Sequence, residues 1–211
     1  MAPRYREDLA VIGFDMDDVT HCLWCGWEKT LRRINHPTAG HPAWTDHAPH
    51  DWEHAANAGM TRDDFAAIMD IGTDLGTIFD GKPIVGAQAA VNRAYDAGHR
   101  IVIITARDTG TVAGRARIDT ARWLSRWGFR YDDLVVSEDK TAIPTDAFLD
   151  DRVKNVTMVN DAGAVGFLQV RNHNRGQDYT GLRPVDTIDR YVDAVIGHTP
   201  ASLREFYGVP A

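Results

Sequence analysis

Five short, continuous apolar runs restrict what this chain can fold into. They are Leu9-Ala-Val-Ile-Gly-Phe14, Arg100-Ile-Val-Ile-Ile-Thr105, Asp133-Leu-Val-Val-Ser137, Ala147-Phe-Leu-Asp150 and Val165–Val170. The first, a continuous apolar run ending in acids, has the look of a buried central strand, and the others read as further strands. Helical spacing occupies Gly86–Ala97, Thr111–Trp127, Val153–Ala162 and Ile188–Ile196. Gly98, Gly128 and Gly163 stand where helix C-termini favour a left-handed residue. In Thr111–Trp127 the expected core face is Ile118, Ala121, Trp123, Leu124 and Trp127. Strand–helix alternation of this kind predicts an α/β fold, a parallel sheet covered by helices on both faces.

The alternation is interrupted once. From about Thr20 to Asp80 the chain is rich in His and Trp, with Pro37, Pro42 and Pro49 breaking its middle. A connection much longer than roughly 12–15 residues carries structure of its own or a function. Thr20–Arg33 and Thr61–Met69 have helical patterns, and Thr61 and Asp64 fit a capping box ahead of Phe65, Ile68 and Met69. The expected division is a core domain of residues 1–19 and 81–211, with 20–80 an inserted helical subdomain.

Composition narrows the function classes. At 211 residues, 44% hydrophobic and 25% charged, the chain buries a full core. The longest apolar runs are far too short to span a bilayer, and the charged N-terminal segment does not read as a signal peptide. A net charge of −7 argues against a nonspecific nucleic-acid coat. Two cysteines do not make a disulfide framework, so a reducing cytoplasm is the expected compartment. Cys22 and Cys25, with His36, His41, His47 or His50 nearby, have the elements of a structural zinc site. The histidine spacings match no standard finger, and buried free thiols are the default expectation.

The chemistry lies in the acids that end two strands. Asp15-Met-Asp17-Asp18 leaves the first apolar run, and Asp150-Asp151 closes the fourth. Residues i and i+2 of an extended segment point the same way, which lets Asp15 and Asp17 converge. In open α/β sheets, ligands gather beyond the carboxyl ends of the strands. Two carboxylates about 4 Å apart repel by about 4 kcal/mol at an effective dielectric near 20. A cluster of four therefore persists only with raised pKa values or with a cation among the groups. All-oxygen ligands favour a hard ion, Mg²⁺ before others.

Val11-Ile-Gly-Phe-Asp15-Met-Asp17-Asp18-Val19 resembles the first signature of haloacid dehalogenase-like phosphohydrolases. Ile101–Thr105, a strand ending in Thr, is similar to the second. Lys140 is similar to the third and is the only lysine between Thr105 and Asp150; Arg107 and Arg130 are the alternatives. Phe148-Leu-Asp150-Asp151 is similar to the fourth. The set occurs in family order, with Asp18 standing where many members carry Gly. The resemblance implies a Rossmann-like core with the 20–80 insertion as a cap, in a Mg²⁺-dependent phosphatase. It also implies roles: Asp15 as nucleophile and Asp17 as acid and base, with Thr105, Arg107 and Lys140 on the phosphate. Metal would be held by Asp15, the Asp17 backbone carbonyl and Asp150, with Asp151 on a metal-bound water or orienting Lys140.

For the substrate, Phe79–Ala87 resembles the cap-to-core return of 5′(3′)-deoxyribonucleotidases, which also begin with Asp-Met-Asp. This implies a nucleoside monophosphate, with Trp24, Trp27, Trp44 and Trp52 either stacking on a base or forming the cap's own core. Asp150-Asp-Arg152 with Gly163–Val170 is similar to the 3′-phosphatase domain of phage polynucleotide kinases. Arg115, Arg117, Arg122 and Arg126 would then flank a 3′-phosphorylated nucleic-acid end, or else form a solvated helix face. A phosphate-binding protein without turnover and a phosphotransferase are the other classes.

Overall fold

The computed structural model describes residues 8–44 and 54–209. Six strands, β1 (Val11–Phe14), β2 (Arg100–Thr105), β3 (Asp133–Val136), β4 (Ala147–Asp150), β5 (Val165–Gln169) and β6 (Pro184–Val185), form one sheet. Their order is β3-β2-β1-β4-β5-β6, and every pairing is parallel. The chain winds outward from β1 through β2 and β3, then returns to the other side of β1 with β4. The winding direction therefore reverses between β1 and β4, where such sheets open a crevice at their carboxyl ends.

The helices are α1 (Leu23–Arg33), α2 (His54–Asn57), α3 (Arg62–Leu75), α4 (Ala87–Asp96), α5 (Arg115–Arg126), α6 (Val153–Asp161), α7 (Ile188–Val195) and α8 (Pro200–Tyr207). Strand pleating divides the core. Ile101 and Ile103 join a large cluster with Ile12, Val91, Trp123 and Tyr191, while Val102 and Ile104 meet Phe148 and Val159 on the opposite face. Both faces are dry, which is why the strands read as continuous apolar runs. The architecture is a Rossmann-like α/β fold with helices on both faces of the sheet.

Helices α1, α2 and α3 lie between β1 and α4, and the large cluster continues into them through Trp24, Trp27 and Ile68. The Thr61–Asp64 capping box is formed. Three local expectations change. Helix α1 starts at Leu23 rather than Thr20, because Thr20 and His21 are tied back to the Met16 carbonyl. Helix α5 buries Ala116, Thr120, Trp123 and Leu124, and leaves Ile118 and Trp127 exposed. Strand β6 and helix α8 have no counterpart among the expected elements: β6 is two residues long, and α8 buries only Leu203.

Candidate active site

Register brings the two acid pairs together. Phe14 pairs with Leu149, and the Asp15 amide donates to the Leu149 carbonyl at 2.9 Å, so Asp15 leaves the sheet beside Asp150. Ligand oxygens of Asp15, Asp150 and Asp151 all lie within 4.8 Å of one another. Lys140, from the β3–β4 connection, inserts its ammonium into this group. Its Nζ is 2.5 Å from Asp15 Oδ1 and 3.9 Å from Asp150 Oδ2, and it donates to the Ile104 carbonyl at 3.0 Å. Its carboxylate neighbours are thus Asp15 and Asp150.

The electrostatics follow from burial. Desolvation raises the Asp15 carboxyl above its ordinary range, partly offset by Lys140. Asp150 and Asp151 are pushed well up by burial and by the Asp15 charge. Burial works against the Lys140 charge, but Asp15 and Asp150 outweigh it and hold the ammonium ionised. Asp150 also accepts from Asn155 Nδ2 at 2.9 and 3.0 Å and from the Arg152 amide at 2.8 Å. Lys140 is shared between Asp15 and Asp150, and the Arg171 and Arg152 charges act on Asp151; an added cation would neutralise what negative charge remains when these buried carboxylates ionise.

Thr105 ends β2 fully buried, and its hydroxyl has no hydrogen-bond partner. A buried, unsatisfied hydroxyl is costly unless a ligand atom completes it. Arg107 sits differently. Its Nε lies 2.9 Å from both Asp17 oxygens, and its Nη2 contacts Asp17 and, at 2.6 Å, His21 Nδ1. Burial alone would raise the Asp17 carboxyl, but Arg107 and His21 overcome this and hold it below the usual carboxylate range. Burial and the guanidinium push His21 down to about 4, so its imidazole is neutral. Arg107 Nη1 is buried without a partner.

A cavity of about 570 Å³ opens over this rim, a size that suits a small ligand. Asp15, Lys140 and Asp151 line its polar floor, while Trp24 of α1, Phe65 of α3 and Met60, just ahead of α3, form an apolar wall. The aromatic rings largely pack on one another: Trp24 stacks on Trp44 at 5.7 Å and Trp27 on Phe65 at 4.5 Å. Trp52, His47 and His50 lie outside the described residues.

The α5 arginines are mostly engaged within the protein. Arg115 and Arg122 pair with Asp119, and Arg126 donates to the Phe79 carbonyl. The cysteine expectation is corrected: Cys22 and Cys25 are joined in a disulfide, not held as free thiols. No thiolate remains for zinc, and the cysteine-based reason to expect a reducing compartment falls away. Among the described residues, no helix is long and apolar enough to cross a membrane.

Several residues at the rim escaped the sequence analysis. Asn155, His21 and His173 all touch the acids. For His173 a signal existed: the polar run Arg171-Asn-His-Asn174 directly follows β5 and so falls on the same sheet edge.

A family model described as 5′ nucleotidase, deoxy (pyrimidine), cytosolic type C protein matches residues 9–180. No curated protein sequence matches the chain. Among solved structures, a haloacid dehalogenase-like family hydrolase from Streptococcus pneumoniae is similar at 10% identity and TM-score 0.54, covering 96% of this chain and 100% of that one. A predicted phosphatase from Clostridium acetobutylicum has 12% identity and TM-score 0.58, covering 90% and 99%. CbbY from Rhodobacter sphaeroides, solved with phosphate, has 14% identity and TM-score 0.51, covering 86% and 95%. These structures share the fold; the family match spans most of the chain, including both acid pairs, Thr105 and Lys140. The chain thus belongs to the 5′ nucleotidase, deoxy (pyrimidine), cytosolic type C family and is a phosphatase of the haloacid dehalogenase-like superfamily.

Proposed function

We propose that this phosphatase hydrolyses 5′-(deoxy)nucleoside monophosphates through an aspartyl-phosphate on Asp15, with Mg²⁺ as cofactor and residues 20–80 as a substrate-selecting cap. The convergence of the Asp15, Asp150 and Asp151 oxygens, with Lys140 against Asp15 and Asp150, carries this reading. The three carboxylates, joined by the Asp17 backbone carbonyl as the resemblance implies, would supply an all-oxygen set that suits Mg²⁺. The bound ion supplies positive charge against carboxylate and phosphoryl oxygens.

In this mechanism the Asp15 carboxylate attacks phosphorus as the bond to the nucleoside oxygen breaks. The departing alkoxide takes a proton from Asp17. Water then attacks phosphorus, gives its proton back to Asp17 and releases phosphate and free Asp15. Arg107 favours the ionised Asp17 that the second half needs and opposes the protonated form that the first half needs. Its unpartnered Nη1 is available to a phosphate oxygen, and that engagement would loosen its hold on Asp17. Thr105 Oγ1 and Lys140 Nζ donate to the other oxygens.

A panel of deoxynucleoside monophosphates, sugar phosphates and a 3′-phosphorylated oligonucleotide, assayed with Mg²⁺, tests the substrate. Fastest release from the nucleotides is expected; faster release from the oligonucleotide end would overturn that choice in favour of a 3′-phosphatase. Chelation with EDTA abolishes activity and excess Mg²⁺ restores it, whereas full turnover in EDTA would remove the metal from the proposal. Thr105→Val lowers kcat/KM by about 10²-fold. It leaves the melting temperature almost unchanged, because the hydroxyl has no partner to lose.

A further inference from the structure

A second cluster sits beside the Asp15–Asp150–Asp151 group. Ligand atoms of Asp18, Asp151 and His173 lie within 4.8 Å of one another, and all three residues are buried. His173 Nε2 is 2.9 Å from Asp151 Oδ2. Metal–ligand distances of about 2.1 Å place neighbouring ligand atoms about 3 Å apart, so this spacing matches two groups facing one ion.

The surroundings hold the three groups in place. Asp18 Oδ1 accepts from the Leu23 amide at 3.2 Å, and Arg171 Nε donates to the Asp18 carbonyl at 2.6 Å. Asn174 Nδ2 bridges the Asp151 and Gln169 carbonyls at 2.7 and 2.8 Å, tying the segment that carries His173 to the end of β4. Asp18 keeps a left-handed backbone, φ 56°. An independent observation points to a ligand. Gln169 is 1% exposed and its Oε1 has no hydrogen-bond partner, and it lines a cavity of about 450 Å³ together with Asp18 and His173. A third oxygen donor, beside those of Asp18 and Asp151, therefore belongs to a residue lining the cavity that Asp18 and His173 also line.

We infer that Asp18, Asp151 and His173 form a second divalent-cation site, which shares Asp151 with the first cluster and takes a borderline transition ion. The imidazole decides the class: nitrogen with carboxylate suits Zn²⁺, Mn²⁺ or Co²⁺ better than Mg²⁺. The site stands on its own residues and does not depend on the nucleotidase reading.

Metal-free full-length protein titrated with Co²⁺, followed by visible absorption and by metal analysis after desalting, tests the site. Two equivalents are expected for the unmodified chain, one of them with the absorption of a nitrogen-ligated ion. His173→Gln should lose that equivalent or bind it at least about 10-fold more weakly. Asp18→Gly, which suits the left-handed backbone, should do the same. Asp150→Asn should keep the His173-dependent ion while losing Mg²⁺-supported phosphate release, which separates this site from the proposed catalytic one. Absence of a nitrogen-ligated equivalent in the unmodified chain, or unchanged Co²⁺ binding in folded His173→Gln, would overturn the inference. Loss of both ions in Asp150→Asn would also do so.

Discussion

On the proposed mechanism, Asp15→Asn is expected to abolish phosphate release from deoxynucleoside monophosphates, by about 10⁴-fold or more, while the protein stays folded. The amide has the carboxylate's shape and still offers an oxygen to Lys140, which stands 2.5 Å away. It is too weak a nucleophile to attack phosphorus. Stability is expected to hold because the substitution removes a charge that burial disfavours. That charge also helps to push Asp150 and Asp151 above their ordinary range. Lys140 keeps Asp150 at 3.9 Å as a counter-ion. A thermal melt within about 4 °C of the unmodified protein, together with phosphate assays, checks both halves. Turnover near the unmodified rate would remove Asp15 from the nucleophile's role.

Gly26→Ala is expected to have the largest effect on stability. Gly26 lies in α1 where the helix crosses the 3₁₀ turn Thr77–Asp80. A Cβ there would stand 2.1 Å from the Ile78 carbonyl oxygen and 2.7 Å from its carbon. Both are backbone atoms, so no side-chain rotation relieves the clash and the two elements must separate. Alanine's better helix propensity returns only about 1 kcal/mol. Overpacking costs about 3 kcal/mol, so the net loss of about 2 kcal/mol lowers the melting temperature by about 4–8 °C. Displacing α1 also shifts Trp24, which walls the cavity, so KM should rise along with the lost stability. A melting temperature equal to or above that of the unmodified chain would show that the crossing is looser than this contact requires.

How much of this was legible beforehand depends on the range of the interaction. Strands β1, β2, β4 and β5 were readable because burial on both faces writes a continuous apolar run into a single segment, and β3, half-buried at the sheet edge, still carries its Leu-Val-Val run. Strand β6 and helix α8 were not. Their order comes from the Arg183 carbonyl and Val185 meeting β5, and from Arg204 reaching Asp146, none of which leaves a local pattern. The α5 face was misread for a related reason. Ile118 and Trp127 have suitable spacing, but packing against the sheet and the inserted helices selects the stripe through Ala116, Thr120 and Trp123.

The site divides in the same way. Asp15, Asp150 and Lys140 were legible because strand ends and motif order place them, whereas the grip of Arg107 on Asp17 and His21 spans about 90 residues and has no local signature. The Cys22–Cys25 disulfide was not among the expectations, which were free thiols or a zinc site, since a C-x₂-C within a helical pattern does not say whether the sulfurs meet.

Sequence alone determined the α/β class, the strands that carry the acids, and the long interruption after the first of them, because apolar periodicity and chain order are local properties. Tertiary structure decided which carboxylate faces which cation, that Thr105 and Gln169 keep unsatisfied polar atoms, and that His173 joins Asp18 and Asp151. Those outcomes depend on burial and on distances between groups remote in the chain, which exist only once the sheet has closed and water has left the rim.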